Sequence, residues 1–382
     1  MDKGTFTIRR LACAYYFACP GLAYGILTSR MPALKKAIGA DDAQIGFLLL
    51  CLGLSSLVAL LSSNALVARL GSRFALRLGA ALMLLGACLC GLAANTAQLA
   101  IFCVMAGLGM GLTDVSMNTQ GIMLEARFTM PAMSSMHAAY SLGGVCGSIS
   151  GAVFAALDLG YLANAVGVLG CYYIFSFWAG ARLLKDPGFR NERDESVKIC
   201  RVPIFVLICG LMSMLAYAVE GSVAEWGSLF LHDDKGASEQ LAALVFAVFS
   251  LAVVLCRLFA DKLRGVYGDF FMLFVGAILA FIGLAVAIFA PHPVLCLGGY
   301  AAMGIGLAPM VPILFSRAGA VPNVKPREAS AMVAIMSYSG LLFFPPLLGL
   351  VAQSSGLSRA LLIPLAACAL LAAGSLALRK DK

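Results

Sequence analysis

The sequence predicts an all-helical membrane protein with twelve transmembrane helices in two pseudo-symmetric six-helix bundles, and three observations predict it. First, 61% of the 382 residues are hydrophobic and only 12% charged, with a mean hydropathy of +0.94. An ordinary soluble domain carries about one-quarter charged residues. Second, runs of about 20 apolar residues, enough to cross about 30 Å of hydrocarbon, recur with only short polar breaks between them. Third, short segments of the first half return in the second at a nearly fixed spacing. A chain this apolar has too little polar surface to cover a water-soluble fold of its size.

The runs place spans at 9–29, 43–67, 74–94, 98–123, 132–157, 161–183, 203–229, 239–260, 270–290, 294–316, 328–352 and 357–378. The first follows Arg9 and Arg10, lacks a small-residue cleavage site and is read as a retained helix. It sets Tyr15, Tyr16, Cys19 and Tyr24 around Pro20. The second and third flank a basic turn at Arg69 and Arg73; the fourth carries Asp114, Asn118 and Gln120. The fifth carries His137 and a ridge of Gly143, Gly147 and Gly151, the small-residue spacing that lets helices approach closely, expected as a sliding contact between the halves. The sixth ends at the longest polar stretch, Lys185–Arg201, read as a linker between bundles at 1–184 and 203–382.

The seventh span carries Tyr217, Glu220, Glu225 and Trp226, and the eighth leads into Asp261, Lys262 and Arg264. The ninth is an apolar run. The tenth contains Pro309 and Pro312, and the eleventh Ser337, Tyr338, Ser339 and a Phe343-Phe344-Pro345-Pro346 break, prolines that mark gating helices or bends tolerated by neighbours. The twelfth closes the even count. Such lengths suit helices, since barrel strands would alternate over about ten residues.

Orientation follows from Lys and Arg, which concentrate on the cytoplasmic side. With both termini inside, the outward loops keep Arg30, Lys35, Lys36, Lys235 and Arg359, leaving 22 of the 27 basic residues inward. Shifting the registry by one helix reverses this bias in both halves. The formal net charge of +8 thus needs no nucleic-acid partner. Thirteen cysteines lie almost wholly within spans, with no CxxC or Cys/His spacing, so neither disulfide nor metal is expected. There is no phosphate loop, HExxH or GxSxG turn, since Gly147–Gly151 places Ile149 at the centre. Neither enzymatic activity nor a cofactor is expected, and energy must come from an ion gradient or from the solute.

Ala106–Leu112 (AGLGMGL) matches Ala301–Leu307 (AAMGIGL) at an offset of 195, and two weaker echoes, Asn64–Arg69 with Arg257–Lys262 and Ser134–Met136 with Ser330–Met332, keep offsets of 193 and 196. Three echoes in order point to duplicated halves. Ala68-Arg69-Leu-Gly71-Ser-Arg73 and Asp261-Lys262-Leu-Arg264 resemble the loop between the second and third helices of each half in the major facilitator superfamily, the first lacking its Gly and Asp. DVSMNTQG at Asp114–Gly121, MSSMHAAYSLGG at Met133–Gly144 and AEWGSLFL at Ala224–Leu231 resemble a branch related to fucose permease and MosC. The resemblance implies the major facilitator fold, alternating access and an essential acid on the fourth helix.

Ionisable side chains at membrane depth are functional candidates, since each costs at least about 2.5 kcal/mol at a helix centre. Asp114, with Asn118 one turn on and Gln120 nearby, is the main candidate coupling carboxylate, against a carboxylate merely satisfied by neighbouring helices. His137 shares its depth, for a proton-linked pair or a packing hydrogen bond. Glu220 is the better cavity candidate on the seventh span, because Glu225 lies near the surface and is offset by about 140°. Tyr16, Tyr24, Tyr217, Ser337 and Tyr338 complete the expected substrate lining, and Arg69, Arg73, Asp261, Lys262 and Arg264 the expected latch.

The sequence therefore reads as a secondary active transporter of a small polar solute, a sugar or sugar derivative among the candidates, working as a monomer in a bacterial inner membrane by proton-coupled symport. The alternative is proton-driven efflux of a metabolite, drug or toxic compound. The missing Gly-Pro pair on the fifth span, typical of drug/proton antiporters, weakens that alternative.

Overall fold

The structure, a computed structural model, describes residues 3–130, 132–185, 203–322 and 326–380. Among these, twelve helices are long and apolar enough to cross a membrane. They are α1 Gly4–Ser29, α2 Asp42–Ser63, α3 Ser72–Cys90, α4 Thr96–Phe128, α5 Ser135–Ala156, α6 Tyr161–Arg182, α7 Ile204–Asp234, α8 Glu239–Ala260, α9 Lys262–Phe289, α10 Pro293–Gly319, α11 Met332–Ser355 and α12 Leu357–Ala377. Each predicted run falls on one of them. The linker expected at 185–202 lies, apart from Lys185, outside the described residues.

Local chemistry sets the ends. Asp41 and Gln44 form a reciprocal capping box at the start of α2, the Asn95 side chain caps α4, and the Ser238 side chain caps α8. Near its start α9 is interrupted at Gly268, whose φ of 78° favours a residue without a Cβ. The helix of α7 continues past its predicted end at residue 229, through a widened turn over Phe230–Asp234. Of the proline breaks, the one at Pro309 is present, separating helical segments Pro293–Leu307 and Met310–Gly319. The expected break at Pro345 and Pro346 is absent, because α11 runs through both while the backbone of α2 at Gly46 packs against them.

Packing repeats with a shift of six helices. α1 lies on α5 and α7 on α11; α2 and α3 lie on α4, and α8 and α9 on α10. The halves meet along α5 with α8 and α2 with α11. The glycine ridge needs correcting. Gly143, Gly147 and Gly151 face α1 at Ala18, Leu22 and Ser29 within the first half, where any Cβ would strike backbone or a buried side chain. Phe246 of α8 instead packs on Gly144, the ridge's neighbour, so the contact between halves uses the adjacent face of α5. With an even number of spans, the start of α1 and the end of α12 share one face, called here the terminal face.

Candidate functional site

Near the middle of the bundle, polar side chains from both halves converge. Asp114 comes from α4, Tyr140 from α5, Tyr217 and Glu220 from α7, and Tyr338 from α11. Tyr140 lies within electrostatic range of the Asp114 and Glu220 carboxylates and of both other tyrosines. Tyr217 and Tyr338 place their rings 6.5 Å apart at 11°, an aromatic wall contributed by two helices of the second half. Asn118 donates to the Asp114 carbonyl at 2.8 Å and reaches its Oδ1 at 3.5 Å, as expected for residues one helical turn apart. None of the described ion pairs includes Asp114 or Glu220.

The cation bearing on this cluster is Arg257 of α8, within range of both Glu220 and Tyr217 and fixed by a hydrogen bond to the Ala308 carbonyl at 3.3 Å. It also faces His137. The expected Asp114–His137 pair is not formed: His137 sets its ring edge-on to Phe17 at 5.2 Å, and no described contact joins it to Asp114.

Several expected lining residues do other work. Tyr16 is 1% exposed and donates to the Ser176 carbonyl at 3.0 Å, packing α1 on α6. Gln120 is fully buried, donating to Ser72 Oγ and the Leu184 carbonyl while accepting from the Leu184 amide, so it clamps the terminal end of α4. Ser337 is buried and bonds back to the Val333 carbonyl of its own helix. Arg69 and Lys262 are exposed and Arg73 half-buried, none with a described tie across the halves. Arg264 binds Asp269 of its own half through two bonds, and also Ser316, while the Asp261 side chain lies outside the described residues.

Among the described residues, the hydrogen bonds and ion pairs between the halves lie on the face opposite the termini. Arg30, 2% exposed and anchored on the Gly151 and Leu159 carbonyls, reaches Glu239 at 3.4 Å. Lys35 bridges Asp42 at 2.5 Å and Asp233 at 2.7 Å. Burial acts to lower the Lys35 ammonium, but its hydrogen bonds to the two carboxylates outweigh this and hold it above its ordinary 10.5. Gln353 accepts from the Asp42 amide, Ser228 donates to the Thr28 carbonyl, and Ser148 donates to the Ala243 carbonyl while accepting from the Ala247 amide. Tyr24 donates to Glu225 Oε1 at 3.0 Å. The expectation that Glu225 is interfacial is thereby corrected: it is 7% exposed, because α7 extends more than two turns beyond it.

Sequence reasoning missed Arg257, which it used only as part of a repeat echo and of the inward basic residues, Tyr140 among many aromatic residues, and the ties of the opposite face. A signal for the last was present: Arg30 and Lys35 are exceptions to the inward bias of basic residues. A concavity of about 1110 Å³ lies elsewhere, on the terminal face of the second half, where Arg317 and Arg379 sit over Phe205 and Phe270.

Comparison with known proteins agrees with this architecture. A sequence model of the family described as Major Facilitator Superfamily matches residues 16–328. An uncharacterised MFS-type transporter of Yersinia pestis is 31% identical over 90% of this chain and 88% of its own length. Membrane protein MosC of Rhizobium meliloti is 29% identical over 95% of this chain and 88% of its own. Among solved structures, a point mutant of nucleoside transporter NupG superposes with a TM-score of 0.81 at 14% identity, over 97% of this chain and all of the other.

Proposed function

The chain belongs to the Major Facilitator Superfamily, and from that premise we propose that it is a proton-coupled symporter of a small polar solute, with the terminal face in the cytoplasm. It is a multi-pass membrane transporter. The observation that carries the finer reading is the convergence of Asp114, Tyr140, Tyr217, Glu220 and Tyr338 near mid-span, from helices of both halves. Carboxylates at that depth are expensive and mark solute and ion pathways. The paired phenol rings offer an apolar face beside hydroxyls, suited to a ring-shaped solute bearing hydroxyl groups.

In this reading the halves rock about the cluster, the ties among Arg30, Lys35, Glu239 and Asp233 close the outer side, and the described state faces inward. Asp114 is the coupling acid: a change of hydration or partner between states loads and releases its proton. The protein works as a monomer in the bacterial inner membrane. A thermal-shift screen of purified protein against sugars, amino sugars, polyols and amino acids identifies the solute, since a ligand stabilises the folded state by mass action. Asp114→Asn, which imitates the protonated acid, is then expected to abolish gradient-driven accumulation while counterflow exchange persists. Loss of binding as well makes Asp114 a solute ligand, and unchanged accumulation moves the coupling role to Glu220.

A further inference from the structure

Glu225 stands apart from the central cluster, at the contact between halves on the outer side. One of its oxygens, Oε1, accepts from Tyr24 of α1, while Oε2 is buried without a hydrogen-bond partner among the described residues. The side chain is 7% exposed and belongs to none of the described ion pairs.

Among the described residues, the titratable groups on the packed elements leave it without a cation. From α1 there is Tyr24, whose ring also meets the apolar Phe246 of α8 at 5.8 Å. Glu220 precedes it on its own helix. Tyr300 of α10 lies beside Gly227, and Tyr338 of α11 faces Tyr217 instead. Nearer the outer face, Glu239 is held by Arg30, and Lys35 by Asp42 and Asp233. Arg359 and Cys368 of α12 have no described contact with Glu225.

We infer that Glu225 is a second proton-binding site, distinct from the solute cluster, whose protonation accompanies closure of the outer side. A charged carboxylate sealed between helices with a single donor and no cation is far more costly than a neutral acid with one unmatched hydroxyl. Opening the outer side parts α1 from α7, separates Tyr24 from Glu225 and admits water, and the hydrated acid then ionises. Closing reverses this: one proton is taken up from the outer solution onto Oε2, and Oε1 regains the Tyr24 hydroxyl. Outer acidity therefore favours the closed state. The inference adds a gate to the proposed symport and does not depend on Asp114 being the coupling acid.

The chain has two tryptophans, and Trp226, fully buried beside Glu225, reports the gate once Trp178 is replaced by Phe. Acrylamide quenching of Trp226 is measured between about pH 6 and about pH 9, where Lys35 stays charged. Quenching is expected to rise with pH, the open-to-closed ratio changing by up to about tenfold per pH unit for one linked proton. Glu225→Gln should stay weakly quenched and flat. Tyr24→Phe, which keeps the acid and removes the tie, should shift the rise to lower pH, and Asp114→Asn should leave it in place. A flat profile in the parent protein, or a Glu225→Gln variant that keeps the parent profile, overturns the inference. Loss of the profile in Asp114→Asn alone does so too, and assigns the pH response to the central cluster.

Discussion

Arg257 lies in the last turn of α8, toward the terminal face, and its guanidinium bears on Glu220, Tyr217 and His137 together. Among the described residues no other cation bears on Glu220, so Arg257→Gln is expected to lower transport at least tenfold, with Arg257→Lys recovering part of it. A double-mutant cycle with Glu220→Gln, read by thermal stability, should give a coupling of about 0.5–3 kcal/mol; additivity within error would show that the two charges do not interact. Lys35 behaves differently. Its side chain is 20% exposed and Asp233's 31%, so Lys35→Ala should weaken outer closure by at most about 1 kcal/mol. Because the Lys35 ammonium is held above its ordinary value, its contribution is complete below that value and is lost only as pH rises past 10.5. The Lys35 tie is thus constant as neutral solutions turn mildly alkaline, and a pH response of the outer face in that window must come from another group.

At the scale of elements, α1 and α5 approach so closely that a Cβ on Gly147 would fall against the Leu22 carbonyl and the Ile26 amide. Gly147→Val should therefore part these helices and destabilise the first half by about 1–3 kcal/mol, seen as a lower melting temperature in detergent. Gly160→Ala, with no atom near its Cβ position, should melt like the parent. Equal melting of the two variants would mean that the contact is not tight. The spans themselves were legible because length and apolarity are what a bilayer demands. Which side of a span faces the cavity was not, because a helix apolar all round has no polar stripe to read. Tyr16, Gln120 and Ser337 look in sequence like Tyr217, Asn118 and Tyr338, yet the fold turns the first three into packing and capping contacts. Asp114 and Glu220 were legible because a carboxylate inside an apolar run needs a reason, and Glu225 was misplaced because the widened turn at Phe230–Asp234 lengthens α7 beyond its hydropathy limit.

Across the whole molecule, the described hydrogen bonds and ion pairs that join the two halves cluster on the side away from the termini, and the described bonds of Arg264 in the expected latch are to Asp269 and Ser316 of its own half. If the terminal face is cytoplasmic, labelling of a cysteine placed at Arg193 occurs only from the inside, and periplasmic labelling there would invert every assignment of inner and outer. The central claim is that a proton moves inward with the solute through the Asp114 cluster. Its most direct test is proton flux in proteoliposomes that enclose a pH-sensitive dye. Adding the solute identified by thermal shift to the outside should acidify the interior of vesicles bearing the parent protein, and leave the interior of Asp114→Asn vesicles unchanged. Solute entry into parent vesicles without acidification, or with an alkaline shift, would contradict it.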